Sequence, residues 1–205
     1  MGIVIDHAAR KRDIIAKSIQ LFAEQGYDGV TYQKIADSCA IARTTLYKYF
    51  RNKREIFNTA IWEVSYLLIN RFDEVLSSQT SAVDRLERVM CAVLQLLFEQ
   101  RIILTVILDY VLASQRAGHN MRRIITCHTI GLRRIIHHLL IEGVRKGELR
   151  KINATLATDL LYTHLEAAIL RLTVSQNADY EKLTAMLHQT IETLKAPAPA
   201  SAPCN

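Results

Sequence analysis

The sequence predicts an all-α fold, and three observations carry that prediction. The chain of 205 residues has only three prolines, all within its last nine residues, so no proline ring interrupts a helix before Pro197. Apolar residues make up 50% of the chain, which is enough to form a packed core. They recur every three to four positions, as in amphipathic helices, and not at every second position, as in strands.

The first quarter of the chain has the spacing of a helix-turn-helix unit. We expect helices over residues 8–25, 32–38 and 43–49, and a long fourth helix over residues 53–76. Gly26 is a suitable stop for the first helix, and Thr31 is a suitable N-cap for the second. Three short helices in about 45 residues, two of them joined by a short turn, are typical of this motif.

Longer amphipathic helices follow, which we place over residues 81–99, 101–116, 119–146, 153–175 and 178–195. The last two carry apolar stripes at helical spacing: Leu156, Leu160, Thr163, Ala167 and Leu170, then Leu183, Met186, Leu187, Thr190, Ile191 and Leu194. We divide the chain into an N-terminal three-helix bundle with the helix-turn-helix (1–54), a helical domain (55–195) and a disordered, Pro-rich tail (196–205).

The positive charge is concentrated in the helix-turn-helix region. Residues 1–54 contain ten Lys and Arg against five Asp and Glu, whereas the formal net charge of the whole chain is +6. This asymmetry favours a polyanionic partner for the N-terminal part alone.

The remaining composition argues against several classes of protein. The four cysteines have no paired spacing, so we expect a reduced, cytoplasmic protein without a disulfide framework. The most apolar run, from Ile102 to Ala113, is interrupted by Asp109 and is too short for a membrane span. We expect no cofactor and no catalytic residues, because neither a nucleophile elbow nor a metalloprotease motif occurs.

A helical wheel of the third helix, at about 100° per residue, separates a buried side from an exposed side. Leu46 and Phe50 fall together and define the buried side. Lys48 lies opposite them, with Thr44 and Thr45 beside it. A major groove admits one α-helix, and side chains of these types can donate to base edges or touch a thymine methyl group.

Other polar side chains are placed to meet the DNA backbone. Tyr47 and Tyr49 flank Lys48, and their phenol hydroxyls can donate to phosphate oxygens. Thr31 and Gln33 open the preceding helix, whose N-terminus can hold a phosphate. Lys53 has the same position at the start of the fourth helix.

This stretch resembles the tetracycline-repressor (TetR) family of bacterial regulators over roughly residues 10–57. The matching positions are Leu21-Phe22, Gly26-Tyr27, Thr31, Ile35-Ala36, Thr45-Leu46-Tyr47, Phe50 and Lys53. The resemblance implies that DNA is contacted by Thr31, Gln33, Thr44, Thr45, Tyr47, Lys48, Tyr49 and Lys53, with Arg43 as a possible addition. It also implies a homodimer that represses transcription from a palindromic operator.

The chain departs from the family pattern at four positions. Ala40 stands where the turn between the helices often has Gly, and Ala42 stands where Ser or Thr usually caps the recognition helix. Thr44 replaces a frequent Gly, and Tyr49 replaces a frequent His. These changes leave DNA binding as the expected function, with an operator sequence that the family does not specify.

The C-terminal helical domain is expected to bind a small, mostly apolar ligand and to form the dimer. The candidate lining residues are Trp62, Tyr66, Phe98, Tyr110, Cys127, His128, Tyr162 and Glu166. For each of them an ordinary core role is the alternative. The two apolar stripes near the C-terminus are candidate dimer surfaces, although either stripe would also suit the core of its own subunit.

Several alternatives remain open. His119, His128, His137 and His138 lie close in sequence, which leaves a metal-responsive regulator as one reading, but no pair among them has the i, i+4 spacing of a helical metal site. A ligand-independent DNA-binding protein is a second reading. A membrane-surface protein is a third, because the 119–146 helix is basic on one side, but its interleaved apolar residues favour a packed scaffold helix, and we expect no membrane partner.

Overall fold

The structure, a computed structural model, describes residues 6–118, 122–175 and 179–197. Within these ranges it has nine α-helices and no extended strand, which confirms the predicted all-α class. The helices are α1 (His7–Gln25), α2 (Tyr32–Ser38), α3 (Arg43–Leu46), α4 (Lys53–Leu76), α5 (Ala82–Glu99), α6 (Arg101–Arg116), α7 (Arg122–Arg145), α8 (Ala154–Val174) and α9 (Tyr180–Leu194).

Side-chain caps fix several of these helix starts. The Asp6 carboxylate accepts from the N–H groups of Ala8 and Ala9 at 2.9 and 3.2 Å, and the Asn153 side chain caps α8 in the same way. Such caps pair donors that would otherwise have no partner in the first turn. The predicted bounds agree with these within three residues, and α3 ends at Leu46, three residues before its predicted end. Most of the predicted tail lies outside the described residues.

The first compact unit contains α1, α2, α3, the part of α4 up to Leu67, and α6. Its core consists of fully buried aliphatic and aromatic side chains, among them Ile14, Phe22, Ile35, Leu46, Phe50 and Phe57.

Helix α6 packs with the N-terminal helices, although it follows them by more than fifty residues. Ile103 and Val106 are buried in the same core as α1, and the Asp109 carboxylate accepts from the Tyr27 N–H at 3.2 Å. The compact units therefore do not follow the division at residue 54 made from the sequence. The division into domains at residue 54 stays a prediction.

The second compact unit contains the remainder of α4, α5, most of α7, α8 and α9. Its core brings together Leu86 and Met90 of α5, Leu140 of α7, Leu161 of α8 and Ile191 of α9, all with no exposed surface.

The sequence Glu142-Gly143 to Gly147-Glu148-Leu149 closes α7 and joins it to α5. Gly147 has a φ of +74°, and the Glu148 N–H donates to the Gly143 carbonyl at 2.9 Å. A Cβ on Gly143 would lie 2.8 Å from Leu149 Cδ1, so glycine allows Leu149 to pack over the helix end. The Glu148 carboxylate also accepts from the Val83 N–H at 3.0 Å, in the first turn of α5.

Ala40, in the turn between α2 and α3, has a φ of +52°. This left-handed conformation costs an L-residue with a Cβ roughly 1–2 kcal/mol. We expect Ala40→Gly to raise the free energy of unfolding by about 0.5–1 kcal/mol, since glycine removes the strain but adds unfolded-state entropy. Urea denaturation measures this change. The exposed helical control Ala185→Gly, in α9, should instead lower stability, and a loss at both positions would contradict the strain argument.

In the described part of the chain, no single helix combines the length and apolar composition of a membrane span. The bent pair α5 and α6 meets that criterion only when the two helices are counted together.

Candidate DNA-binding surface

Helices α2 and α3 are held on the first core by one buried face each. Ile35 and Ala36 of α2 and Leu46 of α3 have no exposed surface, and Phe50 is 1% exposed. The turn between them is closed by the Ile41 N–H, which donates to the Ala36 carbonyl at 3.1 Å. The buried side predicted for the third helix is therefore confirmed.

The opposite side of α3 faces solvent. Thr44 and Lys48 are exposed, and Thr45 is half-buried. Although α3 itself ends at Leu46, the chain continues in helical turns, with the Phe50 N–H donating to the Leu46 carbonyl at 3.1 Å. Lys48 consequently keeps the outward position that the wheel predicts.

Tyr47 lies on the surface in a fixed arrangement. The Arg43 guanidinium donates to the Tyr47 hydroxyl at 3.1 Å, and the Tyr32 ring lies 4.8 Å from the Tyr47 ring. Tyr32 in turn donates its hydroxyl to the Phe50 carbonyl at 2.5 Å, and burial raises the pKa of Tyr32 to about 12. We call residues 43–50, which are α3 and the helical turns after it, the recognition segment. Tyr32 therefore joins the start of α2 to the end of this segment, a role that the sequence pattern did not reveal.

Tyr49 is placed differently from Tyr47. It is half-buried against the first core, and its ring lies 5.6 Å from the His7 ring. Nearby, the Lys11 ammonium lies 5.2 Å from the centre of the Phe50 ring. The two tyrosines are thus not equivalent flanks of Lys48: Tyr47 is 49% exposed, whereas Tyr49 packs against the start of α1.

Lys53 is used inside the domain. Its ammonium donates to the carbonyls of Tyr27 and Val30 at 2.8 and 3.1 Å and lies 4.4 Å from the centre of the Tyr27 ring. Burial lowers the pKa of Lys53, while the Asp28 carboxylate acts in the opposite direction. In this structure Lys53 anchors α4 to the α1–α2 link, and a phosphate contact from it stays a prediction.

The residues that open α2 are exposed and locally paired. The Thr31 hydroxyl accepts from the Lys34 N–H at 3.2 Å, which confirms Thr31 as the N-cap. The Gln33 amide donates to the Asp37 carboxylate at 2.7 Å. Both side chains therefore stand at the first turn of α2, where phosphate can approach.

Helix α3 begins without a side-chain cap, because Ala42 occupies the N-cap position in an extended conformation. We expect Ala42→Ser to raise the free energy of unfolding by about 1 kcal/mol, since the hydroxyl can accept a free N–H of the first turn. Thermal or urea unfolding measures the gain. Ala42→Val serves as the control without a hydroxyl, and an equal effect of both substitutions would exclude capping as the cause.

Helix α8 carries an apolar stripe that is exposed in the part of the chain that the structure describes. Leu156, Leu160 and Leu170 are 66%, 48% and 58% exposed, and Thr163 and Ala167 between them are also exposed. The stripe predicted on α9 is mostly buried in its own core, where Leu183, Leu187, Ile191 and Leu194 are at most 9% exposed. Of the two candidate dimer surfaces, the α8 stripe is the one that stays exposed among the described residues.

The candidate ligand residues of the first unit make two separate sets of contacts. Trp62 and Tyr66 are 67% and 52% exposed and stack on each other along α4, with ring centres 5.9 Å apart. Tyr110 belongs to the core, where its ring lies 4.8 Å from those of Tyr27 and Phe57.

The candidates of the second unit are also dispersed. Phe98 packs against Tyr180 at 5.4 Å between ring centres. Tyr162 is 9% exposed, and its ring lies beneath the Arg133 guanidinium, with 4.1 Å between the guanidinium carbon and the ring centre. Glu166 is exposed. The side chains of Cys127 and His128 lie outside the described residues, and the predicted lining stays a prediction.

Among the residues that the structure describes, no group of three or more His, Cys, Asp or Glu side chains could hold a metal ion. His137 and His138 are described, whereas His119 and the His128 side chain lie outside the described residues.

An exposed recognition segment, fixed by the buried faces of two short helices in a basic N-terminal region, defines a helix-turn-helix DNA-binding protein. Residues 14–60 match the family model of bacterial regulatory proteins, tetR family. The N-terminal region is therefore a DNA-binding domain of this family, which makes the chain a DNA-binding regulator.

Similarity to known regulators extends beyond this domain. The chain is 25% identical over 182 residues to the fatty acid metabolism regulator protein of Bacillus subtilis, covering 88% of this chain and 91% of that one. It is 37% identical over 68 residues to the biofilm operon negative transcriptional regulator IcaR of Staphylococcus epidermidis, covering 31% and 37% of the two chains. In fold it resembles Bacillus subtilis FadR in complex with stearoyl-CoA, with a TM-score of 0.70 at 24% identity over 90% and 97% of the chains.

Proposed function

We propose that this protein is a homodimeric repressor that binds a palindromic operator and is released from it by an acyl thioester of coenzyme A. The observation that carries the DNA-binding role is the arrangement of α3. Leu46 and Phe50 are buried, so Thr44 and Lys48 are held facing outward on a rigid segment. Such a segment fits a major groove, with Thr44, Thr45 and Lys48 towards the bases.

The remaining predicted DNA contacts surround this central set. Tyr47, held by Arg43, is placed to donate to a phosphate on one side. Thr31 and Gln33 approach the backbone from the first turn of α2. Tyr49 and Lys53 contribute mainly by fixing the segment, because both are engaged within the domain.

The dimer forms through the α8 stripe in this proposal. Three leucines on one side of α8, Leu156, Leu160 and Leu170, are 66%, 48% and 58% exposed, which is unfavourable in a monomer. Two copies related by a twofold axis would bury the same stripe on each subunit. Two recognition helices then read two half-sites of a palindrome about one helical turn apart.

The ligand class rests on the relatives. The Bacillus subtilis relative is a fatty acid metabolism regulator, and FadR has been seen with stearoyl-CoA. A long acyl chain agrees with the mostly apolar ligand that the composition of the C-terminal domain predicts. Binding would favour one packing of the helices and so change the spacing of the two recognition helices.

A promoter fusion tests repression and ligand class together. The DNA upstream of the gene is placed before a reporter, with and without the protein, and operator release is then measured in vitro with palmitoyl-CoA, palmitate and Zn²⁺. The proposal expects lower reporter output with the protein and release by palmitoyl-CoA alone. Release by Zn²⁺ would favour a metal-responsive regulator, and release by none of the three would favour a ligand-independent DNA-binding protein.

A further inference from the structure

An open groove of about 540 Å³ lies between α7 and α8 in the second compact unit. Its size is within the range of about 300–1,000 Å³ that small-molecule sites occupy. The α7 wall consists of Ile130, Arg133, Arg134, His137, His138 and Ile141. The α8 wall includes Thr155 and Asp159.

The charges in this groove are unbalanced. Asp159 is the acidic residue of its lining, and it forms an ion pair with Arg133. The same guanidinium lies 4.1 Å from the Tyr162 ring, so Arg133 is held from two sides. In the part of the chain that the structure describes, no hydrogen bond or ion pair engages Arg134, which is exposed beside it. The groove therefore presents one fixed and one free guanidinium.

Apolar side chains stand at both ends of the basic segment. Ile130 and Ile141 are 42% and 47% exposed; along α7, Ile130 lies about one turn from Arg133, and Ile141 about one turn from His138. An arginine fork matches the oxygens of a phosphate in geometry as well as charge. A ligand that joins phosphate groups to an apolar or ring-bearing part complements both features.

We propose that the α7–α8 groove binds the phosphate-bearing head of the regulatory ligand, with Arg133 and Arg134 contacting the phosphates. The inference rests on the proposed function, in which the ligand carries coenzyme A. Ile130 and Ile141 contact the apolar or ring-bearing parts of the head that adjoin its phosphates. Asp159 and Leu160 are neighbours on α8, so occupancy of the groove acts on the helix that bears the exposed leucine stripe.

The test measures binding of palmitoyl-CoA, coenzyme A and inorganic pyrophosphate to the full chain by calorimetry. Arg134→Ala is expected to weaken binding of all three about tenfold, and Arg134→Glu by more, because a charge-assisted hydrogen bond is lost. Asp159→Asn should tighten binding severalfold, since it removes the competing carboxylate. Arg150→Ala, an exposed arginine outside the groove, is the matched control and should bind as the wild type does.

Each outcome decides one of the two proposals. Palmitoyl-CoA binding that is equal in the wild type and both Arg134 variants would overturn the groove as the head site and leave the proposed ligand intact. If the wild type does not bind palmitoyl-CoA, the proposed ligand fails. Coenzyme A and pyrophosphate then decide whether the groove binds phosphate groups. Binding of either by the wild type that is lost in Arg134→Glu supports the groove as a phosphate site, and absence of binding to the wild type overturns it. If Arg134→Glu instead changes the number of subunits in the assembly in solution, the groove is a contact between subunits.

Discussion

Lys48→Glu should lower the affinity for operator DNA about a hundredfold or more. Lys48 is exposed at the centre of the outward face of the recognition segment. The substitution removes a donor to base edges, whose contribution to discrimination is about 1–3 kcal/mol. It also places a carboxylate among the phosphates of the groove. Fluorescence anisotropy with the upstream DNA measures the loss.

The matched control for this variant is Lys151→Glu. Lys151 is exposed in the link between α7 and α8, so this substitution changes the net charge equally without touching the recognition segment. We expect the affinity of Lys151→Glu for DNA to lie within a few-fold of that of the wild type. Both variants should unfold at the same temperature as the wild type. An equal loss of affinity in both variants would mean that only the overall charge matters.

Leu160→Glu should convert the dimer into a monomer and thereby abolish tight operator binding. Leu160 is 48% exposed at the middle of the α8 stripe, so the twofold contact would bury two opposed carboxylates. An uncompensated buried charge costs about 3–5 kcal/mol, which corresponds to roughly a hundredfold or larger increase in the dimer dissociation constant. Light scattering coupled to size-exclusion chromatography measures the molar mass of the assembly and so distinguishes the dimer from the monomer.

Leu112→Glu provides the control for the dimer prediction. Leu112 is 44% exposed on α6, in the first compact unit, and thus matches Leu160 in residue type and exposure. This variant should remain dimeric. A Leu160→Glu protein that is still a dimer, with an unchanged helical spectrum, would show that α8 is not the subunit contact.

Local sequence signals explain which parts of the fold were predictable. The start of α2 follows from Thr31, and the end of α1 follows from Gly26, because caps act on residues within one turn. The buried side of α3 follows from the spacing of Leu46 and Phe50. Ala40 and Ala42 depart from the family pattern, which often has Gly in the turn and Ser or Thr at the cap. The positive φ of Ala40 and the missing side-chain cap at Ala42 are the structural consequences of these two departures.

Contacts between distant residues explain what the sequence did not reveal. Lys53 reaches carbonyls 23 and 26 positions earlier in the chain, and no periodicity indicates such a bond. The stripes of α8 and α9 both have helical spacing, yet it is the α9 stripe that packs in its own core, while the α8 leucines are exposed. The aromatic residues chosen as a ligand lining come from several helices. Spacing within one helix does not say which of them meet.

The most direct test of the account is a fluorescence-anisotropy titration of the protein against its own upstream intergenic DNA and against a scrambled duplex, at two salt concentrations. The account predicts tight, sequence-selective binding with two protomers per duplex, and selectivity that persists at the higher salt concentration. Equal binding to both duplexes that disappears at higher salt would contradict it, because the basic N-terminal helices would then supply only non-specific attraction to phosphate.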